Sequence, residues 1–270
     1  MTVHDERGQA RELQIPAERG LTVYLEKREL VTLMTLGAHP EWLALGFLRN
    51  QRLVHSVHDI DSVTVDWSLG EGEVGEPGVA AVRLREGVRP AQPDAPSRVV
   101  TTGCGQGSVF GQLMADVGTL QLPPAAQAQL AQSRLYRLLE TMRQQETVYK
   151  QAGSVHGCAL FQGDELLFMV EDVGRHNAVD TIAGWMWMHG IDGADKVFYT
   201  TGRLTSEMVI KAAQMGVPVL VSRSGMTQMG LAVARSLGVC AIGRALNRRF
   251  VCFSAPERLV RDVEWPAPEA

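Results

Sequence analysis

The sequence has few cysteines and spaces them far apart. Its 270 residues contain Cys104, Cys158, Cys240 and Cys252, and no two of them form a CxxC pair. This spacing argues against a disulfide framework and provides no local zinc-binding signature, because both need cysteines at short or regular intervals. Each thiol therefore has to be interpreted by itself.

Long apolar runs and an excess of basic residues are also missing. No apolar run approaches the roughly 20 residues of a membrane span, and the first twenty residues are too polar for a secretory signal. With a formal net charge of −4, the chain lacks the bulk positive charge of nucleic-acid-binding proteins. We therefore expect a cytoplasmic protein that binds neither a membrane nor a nucleic acid.

The length and the 45% of apolar residues allow two domains, each with its own core. We expect a flexible N-terminal tail over residues 1–20. Residues 21–125 are predicted to form a small domain that carries the Cys104 loop, and residues 126–264 a second domain.

The first half of the chain predicts a mixture of strands and helices. The stretch LTVYLEKRELVTLMTL predicts two short strands joined by a charged turn, and Pro40 opens an amphipathic helix. Two further strands, SVTVDW and VAAVRLR, flank a glycine- and glutamate-rich loop. After Pro123 and Pro124, apolar residues at helical spacing predict one long helix that extends to about Lys150.

The second half predicts an open α/β sheet. A hairpin turns at Gly163 and Asp164 and is followed by a helix from about Asn177. Three short β-branched runs then alternate with two helices, which Gly216 and Gly238 close. Right-handed crossovers would make these strands parallel and would gather their carboxyl ends, where such sheets bind ligands, at one edge.

Arginine follows a small residue at the end of each of these three strands. The pairs are Gly202-Arg203, Ser222-Arg223 and Gly243-Arg244, and Arg175 follows the preceding hairpin in the same way. Guanidinium groups bind phosphate oxygens and glycines let backbone amides approach them, so the pattern favours a ligand that contains pyrophosphate. The alternative is that these arginines are solvated loop residues that pair with Glu207, Asp172 or Asp180.

Cys104 lies between glycines in the loop TTGCGQG. Such a loop can turn backbone amides toward a thiolate, which lowers the thiol pKa and makes the sulfur nucleophilic. The alternative is a buried thiol with structural glycines, and this is our expectation for Cys158, Cys240 and Cys252 in their apolar strands. His176 is a candidate base or phosphate ligand, or a residue that only packs at a helix start.

Four segments together resemble the formate dehydrogenase accessory sulfurtransferases, the FdhD family. They are TTGCGQG, EDVGRHNAVDTIAG, TTGRLTSEMVIKAAQMGVPVLVSRSG and GVCAIGRALNRRFVCFSAPERL, and the resemblance extends from about Leu21 to about Leu259. It implies a mixed α/β (α+β) protein, with a small N-terminal α/β domain and a cytidine-deaminase-like three-layer domain built on a mixed sheet. The deaminase zinc signature is missing, and we expect no structural metal.

The resemblance also implies an activity. Family members accept sulfur from a cysteine desulfurase as a persulfide and pass it to the molybdenum of bis-molybdopterin guanine dinucleotide, before this cofactor enters molybdenum-dependent formate dehydrogenase. They are often homodimers. Cys104 matches the persulfide cysteine. The candidate cofactor-binding residues are Arg175, His176, Asn177, Gly202, Arg203, Ser222, Arg223, Arg244, Ala245, Leu246, Asn247, Arg248 and Arg249.

One departure from the family pattern keeps other functions open. Many members have CGxCG where this chain has Cys104-Gly-Gln-Gly107, so a step that needs two neighbouring cysteines is ruled out in this loop. A cofactor chaperone that delivers the cofactor without covalent sulfur transfer is one alternative, with Cys104 as a docking or loop residue. A divergent deaminase-like hydrolase is another, and it would need bound zinc.

Overall fold

The computed structural model describes residues 1–13, 15–67, 77–90, 98–100, 117–145 and 147–264. The segment 101–116, which contains Cys104, lies outside the described residues, and so does most of the predicted glycine- and glutamate-rich loop. Within the part of the chain that is described, no helix combines the length and the apolar character needed to cross a membrane.

The described residues contain fifteen strands and six α-helices. The strands are β1 Thr2–His4, β2 Ala10–Glu12, β3 Arg19–Leu25, β4 Arg28–Thr35, β5 Ile60–Asp66, β6 Gly78–Leu84, β7 Arg98–Val100, β8 Leu130–Ala131, β9 His156–Gln162, β10 Glu165–Asp172, β11 Lys196–Thr200, β12 Val219–Ser222, β13 Cys240–Leu246, β14 Arg249–Ser254 and β15 Leu259–Val260. The helices are α1 Pro40–Asn50, α2 Gln132–Gln144, α3 Val148–Ala152, α4 Arg175–Met188, α5 Ser206–Gln214 and α6 Gln228–Leu237. The predicted mixed α/β fold class is confirmed.

The described residues form two compact units that interleave along the sequence. The first unit draws on the ranges Met1–Phe110, Glu146–Cys158 and Val170–Ile191, and the second on Gly111–Gln145, Ala159–Met169 and Asp192–Ala270. The domain ranges proposed from the sequence divide the chain in a different way and stay a prediction. The predicted tail contains the antiparallel pair β1 and β2, and its flexibility likewise stays a prediction.

The first unit is built on a five-stranded sheet in the order β5-β6-β3-β4-β7. Strands β3 and β4 form the predicted antiparallel hairpin, and β6 lies parallel to β3. Leu21, Val23 and Leu25 alternate along β3 and are buried, together with Leu43 and Phe47 of α1. The alternating buried residues of β3 therefore supply one side of the core, and the apolar residues of α1 supply another. Helix α1 starts at Pro40, as predicted.

Helices α1 and α4 of the first unit cross at two glycines. A Cβ atom on Gly46 would lie 1.7 Å from the carbonyl oxygen of Asp180, and one on Gly184 would lie 1.9 Å from the carbonyl oxygen of Trp42. No larger residue fits either position without a shift of backbone. The two glycines therefore set how closely the helices approach.

The second unit contains most of a six-stranded mixed sheet in the order β10-β9-β11-β12-β13-β14. Strands β11, β12 and β13 are parallel and β14 is antiparallel to β13, which confirms the predicted strand-helix-strand alternation. Val221 and Ile242 are buried on the face that packs with Leu135 of α2. Gly216 and Gly238 both have positive φ, 79° and 65°, and follow the ends of α5 and α6 as predicted.

One helix prediction is wrong. Instead of a single helix after Pro124, the chain forms a short 3-10 turn, the strand β8, then α2 and a separate helix α3. Because Leu130 of β8 pairs with Leu259 of β15, residues 130–131 are extended instead of helical. Thr147 begins the new helix, where its hydroxyl accepts a hydrogen bond from the Lys150 amide at 3.2 Å.

Candidate functional site

The predicted site residues fall into three groups. Cys104 lies outside the described residues, so its position stays a prediction. Arg175, His176 and Asn177 form the first turn of α4 in the first unit. All the other candidates belong to the second unit, at the carboxyl ends of β11 and β12 and in the β13–β14 hairpin.

The second unit presents exposed arginines after the ends of the parallel strands β11 and β12 and inside the last part of β13. We call Arg203, Arg223 and Arg244, together with the backbone segments that carry them, the arginine edge. Thr200 of β11 is in register with Ser222 of β12, and the backbone N–H of Arg223 donates to the Thr200 carbonyl at 3.1 Å. All three side chains are exposed. The predicted gathering of three arginines at one sheet edge therefore matches the strand order.

Hydrogen bonds join the loops of the arginine edge to one another. The buried hydroxyl of Ser222 donates to the carbonyl of Gly202 at 2.7 Å and accepts from the N–H of Ser224 at 2.9 Å. The Ser224 carbonyl in turn accepts from the N–H of Arg244 at 2.7 Å. Ser222 thus fixes the backbone from which the arginines project, and no pattern in the sequence indicated this role.

Gly243 allows β13 to approach the neighbouring loop closely. A Cβ atom at this position would lie 2.7 Å from a ring carbon of Phe253 and 3.0 Å from the carbonyl oxygen of Ser224. A larger residue before Arg244 would therefore require the Phe253 ring and the Ser224 loop to shift.

The third strand differs from its prediction. Strand β13 does not end before Arg244 but continues to Leu246, and Arg244 lies within it at a positive φ of 52°. The register between β13 and β14 shifts on both sides of Gly243, so an irregular hairpin replaces the predicted loop. An open cleft of about 750 Å³ is lined by Arg244, Leu246, Asn247, Arg248, Arg249, Phe250 and Val251. Ala245, the remaining candidate in this stretch, is buried.

Three arginines of the cleft have no acidic partner. Among the described residues, no carboxylate pairs with Arg244, Arg248 or Arg249. A smaller cavity of about 440 Å³ shares Arg248, whose guanidinium lies 5.3 Å from the ring centre of Tyr136. The cleft therefore concentrates positive charge that no described residue neutralises.

The three carboxylates named in that alternative each contact other side chains. Glu207 pairs with the fully buried Lys211 at 3.6 Å, and Asp180 accepts a hydrogen bond from Asn50 at 2.7 Å. Asp172 accepts hydrogen bonds within the first unit. The alternative in which arginines pair with these side chains stays open for Arg175 and Arg223, which make contacts of their own.

Asp172 organises the start of α4 in the first unit. One carboxylate oxygen accepts from the Thr35 hydroxyl, and the other accepts from the Gly174 N–H and the Asn177 amide, both at 3.0 Å. Burial raises the pKa of Asp172 above its ordinary value, although these hydrogen bonds act in the opposite direction. The acidic residue of the DVGRHN motif is therefore part of the interior.

Asn177 is engaged in the same network. Besides its bond to Asp172, its amide nitrogen donates to the carbonyl of Met34 at 2.6 Å, so both amide hydrogens are used inside the first unit. Arg175 and His176 are half-buried beside it. The structure thus gives Asn177 a structural role, and its predicted cofactor contact stays a prediction.

The described thiols differ in exposure. Cys158 and Cys240 are fully buried, as predicted, whereas Cys252 is only half-buried, on the edge strand β14. Cys252 lies opposite Ile242 and therefore diagonally across from Cys240, and its thiol donates to the Ser254 carbonyl at 3.4 Å. The sequence did not indicate this pair, because twelve positions separate the two residues along the chain.

Comparisons with known proteins all point to one family. The model of the FdhD/NarQ family matches residues 16–260. A Bacillus subtilis (strain 168) protein named sulfur carrier protein FdhD is 33% identical over 239 residues, which are 88% of this chain and 87% of the relative. A protein of the same name from Geobacillus kaustophilus is 30% identical over 247 residues, which are 92% of this chain and 90% of that relative.

A solved structure has the same fold. The crystal structure of a protein assigned as a formate dehydrogenase accessory protein, from Desulfotalea psychrophila, superposes with a TM-score of 0.75 and 26% identity. The match covers 96% of this chain and 97% of that one. Since the family model spans nearly the whole chain and the relatives match over most of their lengths, this chain belongs to the FdhD/NarQ family.

Proposed function

We propose that this chain is a sulfur carrier that serves molybdenum-dependent formate dehydrogenase. Cys104 accepts sulfur from a cysteine desulfurase and transfers it to the molybdenum of bis-molybdopterin guanine dinucleotide, which the chain binds as a substrate. The names of the relatives support the sulfur-carrier role and the link to formate dehydrogenase. The arginine edge supports the binding of a nucleotide.

The first chemical step is a thiol–persulfide exchange. The Cys104 thiolate attacks the outer sulfur of the desulfurase persulfide, the sulfur–sulfur bond of the donor breaks, and the desulfurase thiolate leaves. The new bond is Cys104-S–S-H, so no external oxidant or reductant is consumed. Free thiols of this kind persist in a reducing compartment, and a cytoplasmic location is therefore part of the proposal.

The observation that carries the nucleotide part is the open cleft, whose three arginines pair with no carboxylate among the described residues. Arg244, Arg248 and Arg249 line one open cleft, and Arg203 and Arg223 follow the neighbouring strands. Each guanidinium can form two parallel hydrogen bonds to a phosphate. A guanine dinucleotide has a pyrophosphate, and the bis form has two, so it matches a site that presents several cations.

Binding of guanosine diphosphate to single variants tests this part. Removing a charge-assisted hydrogen bond costs about 1.5–3 kcal/mol, so we expect Arg244→Ala to weaken binding by roughly 10- to 150-fold in calorimetry. Arg143→Ala is the matched control, because that guanidinium already pairs with Glu140 at 2.5 Å on α2. An equal loss in both variants would mean that only general charge matters and would contradict the assigned site.

Mass spectrometry tests the sulfur part. After incubation with a cysteine desulfurase and cysteine, we expect one added sulfur atom on the wild type and none on Cys104→Ala. A label that persists elsewhere in the mutant while the Cys104 peptide of the wild type carries none would defeat the assignment.

A cofactor chaperone is the second candidate, and the single cysteine in Cys104-Gly-Gln-Gly107 favours it. Formate dehydrogenase matured with Cys104→Ala separates the two functions. If the enzyme then carries sulfurated molybdenum at normal occupancy, the chain only delivers the cofactor. A homodimer, expected from the family resemblance, can be tested in the same preparations by light scattering.

A further inference from the structure

One arginine of the cleft is held by an aromatic ring of a neighbouring helix. Arg248 is a turn residue between β13 and β14, next to the pair that Leu246 forms with Arg249. Its guanidinium lies 5.3 Å from the ring centre of Tyr136 on α2, which is within the range of a cation–π interaction. A side chain at the tip of a hairpin, which would otherwise rotate freely, is therefore tied to a helix.

The Tyr136 ring is itself fixed by its surroundings. Tyr136 is 9% exposed, and its hydroxyl accepts a hydrogen bond at 2.7 Å from the amide of Gln132, one helical turn earlier. The Phe250 ring of β14 lies against it, with 6.2 Å between the two ring centres. Burial, the hydrogen bond and the aromatic neighbour together restrict the rotation of the ring. Tyr136 therefore provides a fixed support for the cation.

The contact with Tyr136 leaves Arg248 available to a ligand. Arg248 lines the cleft of about 750 Å³ as well as the smaller cavity. Among the described residues, no hydrogen bond or ion pair engages its guanidinium. A cation–π interaction acts on the positive charge and uses none of the five N–H donors. These donors can therefore bind phosphate oxygens while the ring keeps the group in place.

Arg248 differs in this respect from other arginines of the site. In the part of the chain that the structure describes, no aromatic ring supports Arg203, Arg244 or Arg249. A ligand that binds one of these three has to order a flexible side chain, which costs conformational entropy. A ligand that binds Arg248 finds the side chain already ordered, so more of the interaction energy remains as affinity.

We propose that Tyr136 is a positioning residue of the nucleotide site and that it acts through Arg248. Its ring orders the guanidinium before the nucleotide arrives, and Arg248 then contacts a phosphate at a lower entropic cost than the unsupported arginines. The inference rests on the proposed function, because it needs a cleft that binds a guanine nucleotide.

A double-mutant cycle tests the proposal, with guanosine diphosphate as the probe. Affinities are measured by calorimetry for the full-length wild type, Tyr136→Leu, Arg248→Ala and the double variant. We expect Tyr136→Leu to weaken binding roughly 2- to 5-fold, which corresponds to the 0.5–1 kcal/mol of an exposed cation–π interaction. In the Arg248→Ala background, the same substitution should cause no further loss.

Two single variants separate the effect of the ring from that of packing. Tyr136→Phe keeps the aromatic face and removes only the hydroxyl, so it should bind guanosine diphosphate as the wild type does. Met142→Ala is the matched control for packing lost on α2, because Met142 is also 9% exposed and lines neither cavity. We expect its affinity to equal that of the wild type. A loss as large as that of Tyr136→Leu would overturn the specific role of the ring.

The outcomes distinguish this inference from the proposed function. If Arg248→Ala weakens binding and Tyr136→Leu does not, the positioning role is overturned and the nucleotide site stands. The same holds if the loss caused by Tyr136→Leu persists in the Arg248→Ala background. Tighter binding by Tyr136→Leu would mean that the ring holds Arg248 away from the ligand, which also overturns the inference. A wild type that binds no guanosine diphosphate contradicts both proposals.

Nuclear magnetic resonance of the wild type tests the ordering of Arg248 if Tyr136→Leu does not fold. Side-chain protons of Arg248 next to the ring should show an upfield ring-current shift, and the signals can be assigned by their loss in Arg248→Ala. This variant should fold, because Arg248 is exposed in a hairpin turn. Arg248 proton shifts equal to those of a free arginine would overturn the inference.

Discussion

Replacement of Gly46 by alanine should destabilise the first unit through one steric contact. The added Cβ would meet the Asp180 carbonyl oxygen at 1.7 Å, whereas a close carbon–oxygen contact is about 3.3 Å. The helices α1 and α4 must then separate by about 1.6 Å. Two hydrogen bonds between them would break: Arg49 to the Ala183 carbonyl, now 3.0 Å, and Asn50 to Asp180, now 2.7 Å.

The expected magnitude follows from three contributions. Overpacking typically costs about 1–3 kcal/mol, and the two lost hydrogen bonds cost about 1 kcal/mol each. The higher helix propensity of alanine returns about 1 kcal/mol. We therefore expect Gly46→Ala to lower the free energy of unfolding of the first unit by about 2–4 kcal/mol.

Urea unfolding followed by tryptophan fluorescence measures this loss. Trp42, Trp185 and Trp187 all lie in α1 or α4, so the signal reports the crossing even if the two units unfold separately. Gly118→Ala, in the second unit, is the control for an added Cβ that meets nothing within 4 Å. Followed by circular dichroism of the whole chain, it should stay within about 0.5 kcal/mol of wild type. An unfolding midpoint of Gly46→Ala equal to that of wild type would refute the steric argument.

Three further outcomes are expected. Ser222→Ala removes the acceptor of the Ser224 N–H and the donor to the Gly202 carbonyl, so it should cost about 1–3 kcal/mol in urea unfolding and weaken guanosine diphosphate binding in calorimetry. Burial raises the pKa of Asp172 above 3.8, so the stability of wild type relative to Asp172→Asn should be greatest below pH 3.8 and fall as pH rises through the raised pKa. Urea midpoints of both proteins from about pH 3 to about pH 7 measure this. Guanosine diphosphate should bind more tightly than guanosine monophosphate, with a steeper salt dependence; equal affinities would contradict the role assigned to the arginines.

The alternation of strands and helices in the second unit could be predicted because each element has a strong local signal. Short β-branched runs alternate with helical periods, and Gly216 and Gly238 end the helices at positive φ. Parallel strands then place the residues after them at one edge, so the positions of Arg203 and Arg223 follow from topology alone.

Contacts between elements could not be predicted in this way. The glycines at the α1–α4 crossing are ordinary residues in the pattern of each separate helix, and only the partner helix makes Gly46 and Gly184 necessary. The same limit applies to the irregular register of β13 and β14. That register depends on hydrogen bonds between strands, and it decides that Cys252 faces Cys240.

The arginine edge combines a fixed backbone with exposed side chains. Ser222 and Gly243 hold the loops in place, whereas Arg203, Arg223 and Arg244 extend into solvent. A ligand that orders such an arginine must offset about 2 kcal/mol of side-chain conformational entropy, which is similar to what one charge-assisted hydrogen bond contributes. A ligand with a single phosphate therefore gains little binding free energy at this edge. A ligand that carries several phosphates gains more, because each further arginine that it orders adds hydrogen bonds without a new loss of translational freedom. This difference would let the chain select a dinucleotide over the mononucleotides around it.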